Sequence, residues 1–568
     1  MKLPETCLSI ALLTTGLGGC VEPSGPGARG LLDENSERAG SPGGGARNLF
    51  AKIGKSSGAI DAKVDEIWDT LVETGIYNET GDMAYIYAED SNDVRSEGMS
   101  YGMMLAVQLD READFRRLWK WARTHMYNED GPFEGYYAWQ CDKFGNKLDP
   151  GPAPDGELYF AAALFMADER WGSQSGIFDY RAQANTLLDD MRSTRGSHVD
   201  MFDNASKLIL FVPQAPGGLA TNGDWLTDPS YHVPTFLHLF GNQADSHNDF
   251  WYAAEDAARE FLRSSTHPVT GLTPEYATFD GAGANASWSS GKEDFRYDSH
   301  RVIGNIGMDY AWRGVDNNWQ HEQIGKQLNF FWGEGIDSYL DTYRLDGSNP
   351  GGNRYRANSL IAMNAVGCLA ANIDTNEFHC QDYVERLWDL NYVDNQYAYY
   401  PNLVHAFAVL HAAGRYEIYG LDNNGDGGGL DGTVHRLNAK HSGRCVDVAG
   451  ASTTNGAHIQ QWGCYDGNNQ KWRFERSGDD FRIVSVSSDR CMEVKDASTA
   501  NGATVQQWSC HGGDHQLWTV ESANGGALRL RNKKSGKCLD VAGVSQSNGA
   551  HMQQWNCSGG DNQAFNLD

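Results

Sequence analysis

The feature that most constrains this chain is a stretch near its C-terminus that repeats itself three times. Cys445-Val446-Asp447-Val448, Cys491-Met492-Glu493-Val494 and Cys538-Leu539-Asp540-Val541 recur at spacings of 46 and 47 residues. Each copy continues through Asn-Gly-Ala to Gln460-Gln461-Trp462, Gln506-Gln507-Trp508 or Gln553-Gln554-Trp555. Each then closes on a second cysteine, Cys464, Cys510 or Cys557. A short unit recurring at fixed period cannot bury its apolar face alone, so the copies must share one core. Pairing within each copy, as Cys445–Cys464, Cys491–Cys510 and Cys538–Cys557, closes a loop worth ~3 kcal/mol of chain entropy. Six cysteines in regular pairs also indicate an oxidising compartment.

The repeats leave most of the 568 residues unexplained, so at least one further domain is required. Residues 48–420 alternate helical patterns with Gly/Asp/Asn/Pro loops, as in Gly98 to Leu109, Glu157 to Trp171 and Val302 to Trp312. That length suits a helical toroid better than a small bundle. Residues 421–431 form a Gly/Asp linker, and 432–568 carry the short β-like runs. The linker contains Asp422-x-Asn424-x-Asp426-Gly427, half of a calcium loop, but Thr433 stands where a bidentate Glu is needed. It reads as a linker. Among Cys141, Cys368 and Cys380 at least one is unpaired, and Cys368 with Cys380 is the expected bridge on proximity.

At the N-terminus, Lys2 precedes an apolar run from Leu8 to Leu17 and then Gly18-Gly19-Cys20. Residues 1–20 read as a leader resembling a bacterial lipoprotein signal, with Cys20 the lipid-anchored residue and plain secretion the alternative. Residues 21–47 read as a flexible tether. A secreted or cell-surface protein, monomeric, is expected. The net charge of −29 argues against nucleic acid and anionic membranes as partners and is compatible with a neutral polysaccharide. The 17 histidines show no His-Glu-x-x-His pairing and no Gly-rich phosphate loop precedes a helix, so no metal or cofactor is expected.

The Cys-x-Asp-Val, Gln-x-Trp-x-Cys and Asn-Gln-x-Trp pattern of 432–568 resembles the ricin-type β-trefoil lectins. The resemblance implies one shallow sugar pocket per repeat. It assigns Asp447, Gln460, Trp462, Asn469 and Gln470 to the first, and Asp540, Gln553, Trp555, Asn562 and Gln563 to the third. Trp472, Trp518 and Gln470 are also partly scaffold in such a fold. The second repeat departs from the pattern, with Glu493 for Asp and His515 for Asn. Its longer carboxylate is expected to intrude on the sugar.

Four ordered blocks further upstream resemble glycoside hydrolase family 8. They are Asp93-Val94-Arg95-Ser96-Glu97-Gly98-Met99-Ser100-Tyr101-Gly102, Ala153-Pro154-Asp155-Gly156-Glu157-Leu158-Tyr159-Phe160, Asp228-Pro229-Ser230-Tyr231-His232-Val233-Pro234 and Phe295-Arg296-Tyr297-Asp298-Ser299-His300-Arg301-Val302. The resemblance implies an all-α (α/α)6 barrel, a cleft across one face and inversion of configuration. Hydrolysis of a glycosidic bond needs an acid for the leaving oxygen and a base for the water. By resemblance Glu97 is the general acid and Asp298 the general base, with Arg301 orienting that base. Asp155 grips the distorted sugar, Tyr231 bonds the attacking water, and Trp139 offers a stacking platform. Glu97 also stands at a helix start among small residues and away from obvious cations, where desolvation raises a carboxyl pKa while the helix dipole lowers it. The Asp155-to-Phe160 block resembles xylan-active members, so xylan or xylo-oligosaccharides are the expected substrate. Exo-acting members close the cleft with a His-Pro loop; Leu345 to Asn353 lacks that pair, so an endo-xylanase is expected. The alternatives are a reducing-end xylose-releasing exo-oligoxylanase, a β-glucanase or chitosanase, and a non-catalytic sugar-binding protein.

Overall fold

In the computed structural model the described residues are 45–567, apart from 193–199, 214–218, 422–433, 478–479 and 524–526. The leader, Cys7, Cys20, most of the tether and the half calcium loop lie outside the described residues.

The helical part runs through α1 (Leu49–Lys52), α2 (Ser57–Glu73), α3 (Ser96–Gln108), α4 (Glu112–Trp121), α5 (Pro154–Trp171), α6 (Tyr180–Arg192) and α7 (Pro234–Gln243). It continues through α8 (Asn248–Ser265), α9 (Ser299–Trp312), α10 (Asn317–Glu334), α11 (Asn358–Gly367), α12 (Cys380–Trp388) and α13 (Tyr399–Ala412). The odd-numbered helices from α3 onward touch in sequence, α3 to α5, α7, α9, α11 and α13, and α13 returns to α3. Outside this ring, α2, α4, α6, α8, α10 and α12 each lie against an inner neighbour. This is the (α/α)6 barrel.

Composition explains which helix goes inside. Every residue of α9 is buried, whereas α4 buries only Phe115, Leu118, Trp119 and Trp121 along one stripe. An amphipathic helix belongs at the surface of a core; α9 lies inside because its polar residues His300, Arg301, Asn305 and Asp309 all find partners there. Small residues let the inner helices approach closely. A Cβ at Gly156 on α5 would fall 2.5 Å from Ser96 Oγ on α3, and one at Gly98 would fall 2.5 Å from Tyr399 Oη on α13. Pro154 and Pro234 open α5 and α7, where a missing N–H costs nothing. The Cys368–Cys380 disulfide ties the end of α11 to the start of α12, as proximity suggested. Among the described residues Cys141 is the free, buried cysteine, and burial pushes its thiol up to about 12. No described helix is long and apolar enough to cross a membrane.

From Val434 to Leu567 the chain forms twelve antiparallel strands in one closed sheet, four per sequence repeat. This is the β-trefoil. In each repeat the acidic residue pairs across strands with the first glutamine of the Gln-Gln-Trp block: Asp447 with Gln460, Glu493 with Gln506, Asp540 with Gln553. The three expected disulfides are present. The shared core holds Val446, Met492, Leu539, Trp472, Trp518 and Phe565. Trp472 and Trp518 donate their indole N–H to Val446 O and Met492 O, at 2.9 and 3.0 Å, which confirms them as scaffold.

Candidate active site

The inner helices all deliver their N-terminal ends to one mouth of the barrel. Glu97 is the second residue of α3, Asp155 the second of α5, Asp298 immediately precedes α9, and Tyr399 opens α13. A cleft of about 850 Å³ lies there, lined by Glu97, Asp298, Glu275, Tyr297, Tyr399 and Tyr400 among others. Its size suits a small-molecule or oligomer ligand.

One guanidinium organises the floor. Arg301 Nη2 lies 2.9 Å from Asp298 Oδ1, while Nη1 lies 3.2 Å from Asp155 Oδ2 and 3.5 Å from Glu97 Oε2. Nη2 also donates to Ser230 Oγ at 2.9 Å, and Nη1 to the Tyr101 hydroxyl. The i,i+3 spacing of Asp298 and Arg301 puts both on one face of the helix start. One terminal nitrogen is thus turned to Asp298 and the other to Asp155 and Glu97.

Glu97 departs from the sequence expectation in one respect: it does have cationic neighbours, Arg301 and Arg95. Burial nevertheless prevails. It outweighs Arg301, and with Asp155 and Asp298 nearby it pushes Glu97 up to about 7. The helix dipole does not reverse this. The Tyr399 hydroxyl donates to Glu97 Oε1 at 3.1 Å. Asp155 is likewise raised, by burial first, with Arg301 opposing; its Oδ1 accepts from Gly156 N at 2.9 Å. Asp298 is the more accessible carboxylate, its side chain 27% exposed against 16% for Glu97 and 7% for Asp155. Tyr231 is buried beside Asp155, Asp228 and Asp298, which with desolvation keep its hydroxyl protonated well above the usual range. Its ring stacks on Phe211, with 6.0 Å between centroids, and Phe211 in turn faces the exposed Trp288.

Five of the six expected residues therefore converge. Trp139, like Asp155, Tyr231 and Arg301, is not among the residues that wall the cleft. It is half-buried, and its carbonyl accepts from Ser96 N at 3.0 Å, so it braces the entry to α3. The segment Leu345 to Asn353, read as the cleft-bordering loop, is not part of the cleft wall; residues 355–359 are. A sequence reading had no way to see which loop turns inward.

Sequence reasoning missed Asp228, Ser230, Tyr399, Tyr101 and Glu275. Asp228 is fully buried, caps the turn before Tyr231 by accepting from Ser230 N at 2.7 Å, and is held protonated by burial and by Asp298. Its block was visible in the sequence; its proximity to Asp298 was not. Glu275, pushed up to about 7 by burial, sits in the cleft wall with Lys292. No motif marked it.

In the β-trefoil, two pockets repeat one construction. Asp447 accepts from Gln460 (3.0 Å), Asn469 (2.8 Å) and Gln470 (3.0 Å); Asp540 accepts from Gln553 (2.8 Å), Asn562 (2.7 Å) and Gln563 (2.9 Å). Trp462 and Trp555 stand 42% and 44% exposed. Gln470 and Gln563 are fully buried and also bond the backbone at Gly463 and Asn556, so they hold the Asp rather than face a ligand.

Comparison with known proteins agrees with this architecture. Residues 84–414 match the model of glycosyl hydrolases family 8, and the C-terminal quarter matches the ricin-type beta-trefoil lectin domain-like family over 427–508, 468–555 and 514–568. The reducing-end xylose-releasing exo-oligoxylanase Rex8A of Paenibacillus barcinonensis is 37% identical over 381 residues, 66% of this chain and 96% of that protein. Its Halalkalibacterium halodurans counterpart is 38% identical over 382 residues, 66% of this chain and 94% of its own. Endoglucanase A of Acetivibrio thermocellus is more distant, 26% identical over 342 residues, 58% of this chain and 64% of that one. The solved structure of Rex8A complexed with xylose superposes with a TM-score of 0.61 at 36% identity, covering 67% of this chain and 98% of that chain. With a barrel, a two-carboxylate cleft and this match in hand, the chain belongs to glycoside hydrolase family 8 and carries a C-terminal ricin-type β-trefoil lectin domain.

Proposed function

We propose that this enzyme hydrolyses β-1,4-xylosidic bonds with inversion, acting on xylo-oligosaccharides to release xylose from the reducing end. The observation that carries the chemistry is the single Arg301 guanidinium shared by Glu97, Asp155 and Asp298 at the barrel mouth. Glu97, with a pKa of about 7, holds a proton for the leaving oxygen. Asp298, paired with Arg301 at 2.9 Å, is the base that takes a proton from water. An inverting pair stands about 6.5–9.5 Å apart so that water fits between base and anomeric carbon. Asp155 grips the sugar, Tyr231 bonds the water, and Arg301 orients Asp298. Tyr297 and Tyr355, 41% and 53% exposed along the cleft, join Trp139 as candidate stacking platforms.

The exo reading rests on relatives named reducing-end xylose-releasing exo-oligoxylanases, aligned over nearly their whole length. The endo reading is favoured by the lectin domain, because several weak pockets give avidity on a polymer rather than on short oligomers. Proton NMR of xylohexaose digestion separates them. Xylose released one unit at a time from the reducing end is expected, with new α-anomers appearing first. Mixed internal products would establish endo-action, and β-anomers first would end the inverting assignment. The four disulfides suit a secreted or surface-anchored enzyme.

The pH profile tests Glu97 independently. An acid with a pKa raised to about 7 is mostly protonated at pH 6 and mostly ionised at pH 8. Hence kcat/KM is expected to fall about tenfold per pH unit above this value. A profile that stays flat to about pH 9 would remove Glu97 from the acid role.

A further inference from the structure

The second trefoil repeat is built differently from its two sisters at the same spot. Where the first and third repeats place Asp447 and Asp540, it places Glu493. Where they place Asn469 and Asn562, it places His515; where they place Tyr465 and Ser558, it places His511. In the first and third repeats the asparagine amide donates directly to the carboxylate, at 2.8 and 2.7 Å. In the second, His515 Nε2 and His511 Nε2 both face the same oxygen, Glu493 Oε2, at 3.6 and 3.7 Å. These gaps are too wide for hydrogen bonds. They are close to the edge of a tetrahedron with metal–ligand arms of about 2.0–2.1 Å, which is roughly 3.4 Å. All three ligand atoms lie within 4.8 Å of one another.

The carboxylate is already oriented. Gln506 donates to its Oε1 at 2.9 Å and Gln516 to its Oε2 at 2.8 Å, while Gln516 Oε1 accepts from His511 N at 2.9 Å. Outer partners of this kind fix a ligand's direction before the ion arrives. The two histidines are four residues apart on a tight turn, and the two rings lie 5.1 Å apart between centroids. His511 Nδ1 lies 3.3 Å from Gly513 N, a contact given up when that nitrogen takes the proton and Nε2 becomes the ligand. His511 is the more exposed histidine, its side chain 46% accessible, so the released Nδ1–H faces solvent.

We propose that Glu493, His511 and His515 form a binding site for a divalent transition ion of the Zn2+, Ni2+ or Cu2+ class. Two imidazoles and one carboxylate select such ions over calcium or magnesium, which prefer all-oxygen shells. Three protein ligands leave a fourth position open to water. The expectation of no metal site overlooked the His511-x-x-x-His515 spacing, because the third ligand lies 18 residues upstream on a different strand.

The test is isothermal titration of Zn2+ into the full-length, disulfide-intact protein, with the visible spectrum of bound Co2+ as a second readout. Wild type is expected to take up one ion per chain and to give the intense bands of four-coordinate Co2+. His515→Asn and His511→Ser install the residues of the third repeat, so the metal-free Tm is expected to stay unchanged. Loss of an outer partner alone costs about 10–100-fold in affinity. Loss of either ligand should therefore weaken Zn2+ binding more than about 100-fold and abolish the Co2+ bands. Wild type that binds no ion, or variants that bind it as tightly as wild type, would overturn the site.

Discussion

Replacing Glu97 by Gln is expected to lower kcat on xylo-oligosaccharides by about 10²–10⁴-fold, the range a positioned general acid supplies. Gln keeps the shape and still accepts from Tyr399, so the fold has no reason to change. It cannot deliver a proton. The defect should shrink on substrates whose leaving group needs no protonation, and that contrast is the diagnostic part. Adsorption to insoluble xylan should be unaltered, because Asp447, Asp540, Trp462 and Trp555 lie in the β-trefoil. An equal loss on activated and unactivated substrates would mean that Glu97 binds the sugar rather than protonating the bond.

Arg301→Met is expected to be costly in two ways. The side chain is 6% exposed and faces Asp298, Asp155 and Glu97 together. Removing the cation from a buried charge cluster costs about 3–5 kcal/mol, because the remaining charges stay desolvated without a partner. The sign with pH follows from linkage. Glu97 and Asp155 are already raised in the folded state, so folding takes up protons and stability declines as pH rises. For Glu97 the wild-type window runs from the ordinary carboxylate range to about 7. Without Arg301 both carboxyls rise further and the window extends upward. The Tm deficit of the variant should therefore be small near pH 5 and large near pH 8. A deficit independent of pH would assign Arg301 a packing role only. Turnover should be lost at every pH, since Asp298 loses its orienting partner.

How much of this was legible beforehand depended on the range of the interaction. The three-fold repeat declared the disulfides and the shared core, and its motifs carried the resemblance that implied the trefoil, because each relation falls within about 50 residues and recurs. Helical periodicity declared the barrel's elements, and the blocks around Glu97, Asp155, Tyr231 and Asp298 marked most of the cleft floor. What connects those blocks is long-range. Arg301 meets Glu97 from the far side of the ring, Tyr399 reaches Glu97 from the last helix, and Asp228 presses on Asp298 from the turn before α7. Only ring closure makes them neighbours. The same reason misplaced the 345–353 loop, which looked suitable by composition, because which way a loop turns is set by packing against helices distant in sequence. Residue type, local spacing and the family resemblance that the motifs carry thus set the classes of fold and chemistry, while the tertiary structure alone decided the protonation of Glu97, since desolvation and coulombic interactions depend on distances through space that a linear pattern does not contain.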